Sequence, residues 1–92
     1  MRTIIIAMAL AVLSTPLLAV NKDDAEFAGS CAWGLAEYGA VVPTDCSVNW
    51  TDPKTKKTYC FSSEKSKQAF LQNPDENERR AVDKSRTLQK TQ

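Results

Sequence analysis

An apolar run near the amino terminus decides how much of this chain is available to fold. Residues 4–13 read IIIAMALAVL, and they follow a basic residue at Arg2 and precede the Ser-Thr-Pro break at residues 14–16. A charged start, a short apolar stretch and a small residue such as Ala19 are typical of a secretory signal peptide. A membrane anchor is the competing interpretation, but it needs roughly 20 apolar residues. We expect cleavage after about Ala19 and a periplasmic or secreted protein.

Cleavage changes the charge balance and limits the available chemistry. Without residues 1–19 the chain has 73 of its 92 residues, with 11 basic and 11 acidic side chains. Nucleic-acid-binding domains carry a basic excess, so this balance disfavours nucleic acid as a partner. The chain contains no His, which removes imidazole as a general base and as a metal ligand. We expect a protein that is not an enzyme and that has no membrane contact after cleavage.

The remaining sequence predicts one small α+β domain, made of an N-terminal helix, a β-hairpin and two C-terminal helices. Residues 20–26 are predicted to be a flexible leader, residues 27–88 the folded domain, and residues 89–92 a frayed tail. Apolar residues recur at helical spacing in the first segment, which predicts a short, interrupted helix that ends at Gly39. Near the other end, Ser62 or Ser63 is expected to cap a helix that runs to Gln72.

The last helix has the clearest start signal in the chain. Asn73 and Pro74 suit the N-cap and the first helical position, and Glu76 follows three residues after Asn73. This helix is predicted to run to about Leu88. Its first turn is acidic, with Asp75, Glu76 and Glu78, and the helix dipole favours acids there. Their spacing matches no EF-hand loop, so a solvated acidic helix start is favoured over a calcium site.

Two short runs rich in β-forming residues predict the hairpin. CSVNWT begins at Cys46 and KTYCFS begins at Lys57, and the Asp-Pro-Lys-Thr-Lys turn lies between them. A turn centred near Lys54 places two groups on opposite faces of the hairpin. One face would carry Cys46, Val48, Trp50, Thr58 and Cys60, and the other would carry Tyr59 and Phe61.

Two separated segments resemble one known family. KKTYCFSSEKSKQAFLQNP, residues 56–74, resembles the aromatic strand, helix and Asn-Pro end of YHS domains, which belong with the TRASH-like metal-binding modules. FAGSCAWGLAEYG, residues 27–39, resembles a segment of exported YHS-domain proteins. The resemblance covers most of residues 27–82 and implies a metal-handling domain. The family's metal-binding Cys positions after the aromatic strand correspond to Ser62 and Ser66 here, and Cys46 lies near the family's first Cys.

The three Cys residues carry the functional alternatives. A chain this short often needs a disulfide, a metal or a partner to stay folded. One interpretation is a disulfide plus one buried thiol. Cys46 and Cys60 would be diagonal neighbours about 7–8 Å apart, which is too far for a disulfide without a bulge or a register shift, so Cys31 with either of them is equally plausible. The other interpretation of the three cysteines is a thiolate site for Cu(I), or less favourably Zn(II), made of Cys31, Cys46 and Cys60. A redox or intermolecular role for the odd Cys also stays open.

The functional prediction is an exported YHS-like domain that handles Cu(I) or another soft metal in a bacterial periplasm. Its expected partner is a metal ion or another periplasmic protein. The alternative is a disulfide-stabilised structural or protein-interaction domain without metal. The state of the three thiols distinguishes the two.

Overall fold

The structure, a computed structural model, describes residues 20–90 and confirms a small α+β domain. The predicted signal peptide and the last two residues of the predicted tail lie outside the described residues. Three short helical segments at Lys22–Asp24, Glu26–Gly29 and Gly34–Tyr38 precede the hairpin strands β1 (Val48–Thr51) and β2 (Thr58–Phe61) and the helices α1 (Glu64–Phe70) and α2 (Pro74–Lys90). Within residues 20–90, no helix is both long and apolar enough to span a membrane.

The first predicted helix is divided by a left-handed turn. Phe27, Ala28 and Gly29 have φ angles of 60°, 53° and 82°, so the chain reverses its helical sense before the segment Gly34–Tyr38. This segment is π-helical and ends at Gly39, the predicted helix end, which has a left-handed backbone conformation. Left-handed backbone is costly for residues with a Cβ, and helical periodicity carries no signal for it.

The hairpin register differs from the predicted one. Trp50 pairs with Tyr59 and Val48 pairs with Phe61, so these four side chains share one face and Cys60 lies on the other. The prediction that Trp50 shares a face with Cys60 is therefore wrong. The physical reason is the turn length: Asp52 and Lys57 close a six-residue connection through an Asp52 N–H bond to the Lys57 carbonyl, at 2.9 Å. An even connection shifts the pairing by one residue, which reverses the faces of one strand.

The aromatic face of the hairpin packs on Phe70 at the end of α1. Phe70 is completely buried, and its ring centroid lies 5.2 Å from Phe61, 5.7 Å from Tyr59 and 6.4 Å from Trp50. Phe27 covers Tyr59 from the other side, at 6.0 Å. Offset and edge-to-face rings at these separations are favourable beyond the area that they bury. We call Trp50, Tyr59, Phe61 and Phe70 the aromatic cluster.

Helix α2 closes the domain and begins at Pro74, as predicted. It packs along the Gly34–Tyr38 segment, with Ala81 completely buried in the core. Asn77 is its one buried amide, and its Nδ2 donates to the Phe70 carbonyl at 2.9 Å. The Phe70 carbonyl also accepts from the Asn73 N–H at 3.3 Å, so the turn after α1 and the side chain of Asn77 both donate to the end of α1.

Truncation of the central ring tests this description of the core. We expect Phe70→Ala to lower the free energy of unfolding by about 3–5 kcal/mol, because it leaves a cavity in contact with three rings. Tyr38→Ala is the matched control: Tyr38 is 73% exposed, and its loss should change stability by less than about 0.5 kcal/mol. Chemical denaturation measures both variants, and equal effects would contradict the central position of Phe70.

Candidate functional site

The structure joins Cys46 and Cys60 in a disulfide with Cα atoms 4.8 Å apart. Cys46 precedes β1 and has a φ angle of 61°, so it is not a continuation of the extended strand. The sequence-based diagonal distance assumed an extended Cys46, and a left-handed residue there removes that obstacle. Cys60 faces away from the aromatic cluster, toward the sulfur of Cys46. The disulfide therefore links the entry to β1 with the middle of β2.

The segment before the first helical region covers this disulfide. Residues 20–26, predicted as a flexible leader, include the Lys22–Asp24 turn, and Ala25 packs on Cys46 and Cys60. The Thr44 hydroxyl donates to the Gly29 carbonyl at 2.6 Å and so holds the loop after the π-helical segment against the same place. A Cβ on Gly29 would lie 3.1 Å from the Cys46 sulfur. Both Cys46 and Cys60 are at most 1% exposed.

Cys31 is a free, buried thiol in a separate part of the core. Its backbone pairs with Cys60 in an isolated β-bridge, but its sulfur belongs to the main core rather than to the cluster around the disulfide. The backbone N–H groups of Gly34 and Ser62 both donate to the Cys31 sulfur, each at 3.4 Å. A sulfur that accepts two amide bonds is fixed in position.

Two serines extend this thiol toward the surface. The Cys31 thiol donates to the Ser62 hydroxyl at 3.6 Å, and the Ser62 and Ser66 hydroxyls are 3.4 Å apart. Ser62 and Ser66 are the two positions at which the resemblance to YHS domains expects Cys. The structure thus brings Cys31, Ser62 and Ser66 together, while Cys46 and Cys60 bond to each other elsewhere. A trigonal site of all three thiolates requires reduction of the disulfide and movement of the Cys31 side chain.

A second group of polar side chains, which the sequence did not bring together, lies at the other end of the hairpin. Asp52 starts the turn and is 1% exposed, and it faces Asp75 and Glu78 in the first turns of α2. One oxygen from each of the three carboxylates lies within 4.8 Å of the other two. Asp52 and Glu78 are 26 residues apart in the sequence, so only the packing of α2 against the turn reveals the cluster. We call these residues the carboxylate cluster.

The two buried carboxylates of the cluster have pKa values shifted in opposite directions. The pKa of Glu78 is raised to about 7, mainly by burial and also by the hydrogen bond and charge of Asp52, against an opposing hydrogen bond from Tyr59. The hydrogen bond with Glu78 lowers the pKa of Asp52, and the Lys54 amide, which donates to Asp52 Oδ1 at 2.8 Å, lowers it too. Of the two carboxyl groups, Glu78 therefore has the higher pKa. Burial also raises the pKa of Tyr59.

The neighbouring charges are all at the rim of the carboxylate cluster. The Lys54 ammonium pairs with Asp75 Oδ1 at 2.7 Å, and both side chains are largely exposed. This hydrogen bond raises the pKa of Lys54. Lys57, Arg79 and Arg86 line the adjoining groove together with Tyr59 and Glu78. None of this basic charge reaches the buried oxygen atoms Asp52 Oδ2 and Glu78 Oε2, which have no hydrogen-bond partner among residues 20–90.

Comparison with known proteins adds no family to these observations. No protein-family model, no curated protein and no solved structure matches the chain. The resemblance to YHS domains therefore stays a prediction from the two sequence segments.

Loss of the disulfide tests its contribution to stability. We expect Cys46→Ala/Cys60→Ala to lower the free energy of unfolding by about 3 kcal/mol, because a closed loop of about 15 residues restricts the unfolded chain by that amount. Denaturation with and without reductant measures it. Cys31→Ala is the control, since it leaves the bond in place and should keep the same sensitivity to reductant. A wild-type protein that reductant leaves unchanged would contradict the disulfide.

The raised pKa of Glu78 predicts a pH dependence of stability. The folded pKa of Glu78, about 7, lies above its ordinary value of 4.5, so the folded state binds the Glu78 proton more tightly than the unfolded state does. The stabilisation is complete below pH 4.5 and is lost as the pH rises to about 7. In metal-free buffer the thermal midpoint of the wild type should fall across this window. Glu78→Gln should remove this fall of the thermal midpoint. Glu76→Gln, two residues earlier on the same helix, should keep it.

Proposed function

We propose that this chain is an exported, non-enzymatic YHS-like domain that acts as a disulfide-stabilised structural or protein-interaction module and does not bind metal through its thiols. Its Cys46–Cys60 disulfide compensates for the small core of a short domain. All three sulfur atoms are at most 1% exposed. Reactive cysteines are partly exposed and lie near positive charge, so this burial supports a structural role for the sulfurs.

One observation carries the proposal: the Cys31 thiol is hydrogen-bonded to Ser62, and Ser62 to Ser66. In the family that the sequence resembles, these two serine positions hold metal-binding Cys. Hydroxyl groups are poor ligands for soft metals, but they make good hydrogen bonds. The same geometry that would assemble three thiolates in a metal-binding relative here assembles one thiol and two hydroxyls. The Cys31 thiol and the two serine hydroxyls hydrogen-bond to one another without a metal.

A soft-metal site of Cys31, Cys46 and Cys60 is the second candidate. The β-bridge between Cys31 and Cys60 supports it, because it brings the backbones of all three cysteines close to one another. Cu(I) suits three thiolates. Such a site depends on reduction of the disulfide, whereas the structural role depends on its persistence.

Anaerobic Cu(I) titration distinguishes the two functions. Ascorbate supplies Cu(I) while it leaves the disulfide intact, and a chromophoric Cu(I) chelator reports competition. We expect no Cu(I) uptake by the oxidised wild type. The double variant Ser62→Cys/Ser66→Cys places two thiols beside Cys31 and should take up one Cu(I) per chain. The matched control, Ser47→Cys/Ser85→Cys, adds two thiols at separate places in the fold and should not gain the same site.

The outcomes separate the two proposals. Stoichiometric Cu(I) uptake by the reduced wild type, lost in Cys31→Ala, would favour the soft-metal site over the structural module. Uptake by the oxidised wild type would overturn the structural proposal directly. Equal uptake by the two double variants would remove the geometric support that Ser62 and Ser66 give to the YHS-like interpretation.

A further inference from the structure

The carboxylate cluster contains two buried oxygen atoms that residues 20–90 leave without a hydrogen-bond donor. These atoms are Asp52 Oδ2 and Glu78 Oε2. A buried carboxylate oxygen without a partner is expensive. Two carboxylates that face each other need a positive particle between them, which is either a proton or a metal ion. The cluster lies at the turn end of the hairpin and includes none of the three cysteines.

We propose that Asp52, Asp75 and Glu78 form a binding site for a hard divalent cation of the Ca²⁺ type. The donor atoms are all carboxylate oxygens, the ligand type that selects Ca²⁺, Mg²⁺ and Mn²⁺ over soft metals. Asp52, 1% exposed and with its Oδ2 lacking a donor among residues 20–90, joins the cluster from the hairpin turn, and the other two residues reach it from α2.

The size of the cluster distinguishes among these ions. Oxygen ligands surround Ca²⁺ at about 2.3–2.6 Å, so two oxygens on opposite sides of the ion are at most about 5 Å apart. The three carboxylate oxygens lie within 4.8 Å of one another, a spacing within the diameter of this sphere. Mg²⁺ holds its oxygens at about 2.0–2.1 Å in a strict octahedron, so the cluster would have to contract around it. Ca²⁺ is therefore the better fit.

The groove beside the cluster provides room for the remaining ligands. Asp75 is exposed and Glu78 is half-buried, and the adjoining groove has a volume of about 370 Å³. Water from this groove completes the coordination of Ca²⁺, which takes about six to eight oxygens. The site is thus closed on the Asp52 side and open on the Asp75 side.

The basic side chains nearby limit the affinity. The Lys54–Asp75 ion pair has to open, and an exposed pair of this kind contributes only about 0–1 kcal/mol. Lys57, Arg79 and Arg86 line the groove and repel a cation. We therefore expect a dissociation constant of about 10⁻⁴–10⁻³ M, the range of extracellular Ca²⁺ modules.

Luminescence of Tb³⁺ provides a direct test, because this ion substitutes for Ca²⁺ and emits when a nearby aromatic ring absorbs light. Tyr59 hydrogen-bonds to Glu78 and its ring lies 6.2 Å from that of Trp50, so Tb³⁺ in the cluster is next to two sensitisers. At a pH of about 8 we expect sensitised emission from the full-length mature protein, displaced by CaCl₂. CaCl₂ at ten times its dissociation constant should also raise the thermal midpoint by about 5–10 °C.

Three variants locate the ion. Glu78→Gln removes one ligand charge, but its amide still donates to Asp52 and still accepts from Tyr59, so the fold is kept. We expect it to weaken Ca²⁺ competition at least about tenfold, and Asp75→Asn, at an exposed position, to weaken it as well. Glu76→Gln is the matched control: Glu76 carries the same charge on the same helix but pairs with Arg79 outside the cluster, so its binding should equal that of the wild type.

Two results would overturn the proposal. If about 10 mM CaCl₂ neither displaces Tb³⁺ nor shifts the thermal midpoint of the wild type, the particle between the carboxylates is a proton alone. If Glu76→Gln weakens binding as much as Glu78→Gln and Asp75→Asn do, the ion is held by the general acidity of the helix start and not by the cluster.

Discussion

The packing of three aromatic rings against Phe70 is the interaction on which the rest of this domain depends. A domain as small as residues 20–90 buries few large side chains, so the hairpin has to present its aromatic residues to one place. The six-residue turn makes this possible because it sets the pairing of Trp50 with Tyr59. The same pairing directs Cys60 to the opposite face, where the disulfide forms. One turn length therefore determines both the core and the redox chemistry of the fold.

The elements of this fold were predictable, whereas the geometry between them was not. Local signals identified the start of α2 at Pro74 and the helix end at Gly39, because capping chemistry depends on neighbouring residues. The hairpin faces were assigned wrongly because one residue of turn length is invisible to alternation patterns. The sequence also suggested a Cys46–Cys60 pair but could not reveal the left-handed Cys46 that permits it. The carboxylate cluster needed the packing of α2 on the turn, which no local pattern contains.

The two ends of the hairpin have opposite chemical characters. At the strand end, the buried Cys31 sulfur accepts from two backbone N–H groups and its thiol donates to the Ser62 hydroxyl near the surface. At the turn end, two buried carboxylate oxygens have no hydrogen-bond donor among residues 20–90, and Asp75 and Glu78 line an open groove. A soft metal would have to break existing bonds at the first place, whereas a proton or a hard cation completes the second. The hairpin thus has one end closed by the disulfide and one end whose carboxylates adjoin a groove open to solvent.

Asn77 has a consequence for where this domain can end. Helix α1 has seven residues, which is too short to be stable alone. Its terminal carbonyl belongs to Phe70, the residue at the centre of the aromatic cluster, and the side chain that satisfies it comes from α2. The segment that suggests a family ends at Pro74, and a fragment cut there would keep the Asn73 N–H bond to that carbonyl but lose the Asn77 amide that also donates to it. The smallest cooperative unit of this protein therefore includes the first turns of α2, although its sequence motif does not.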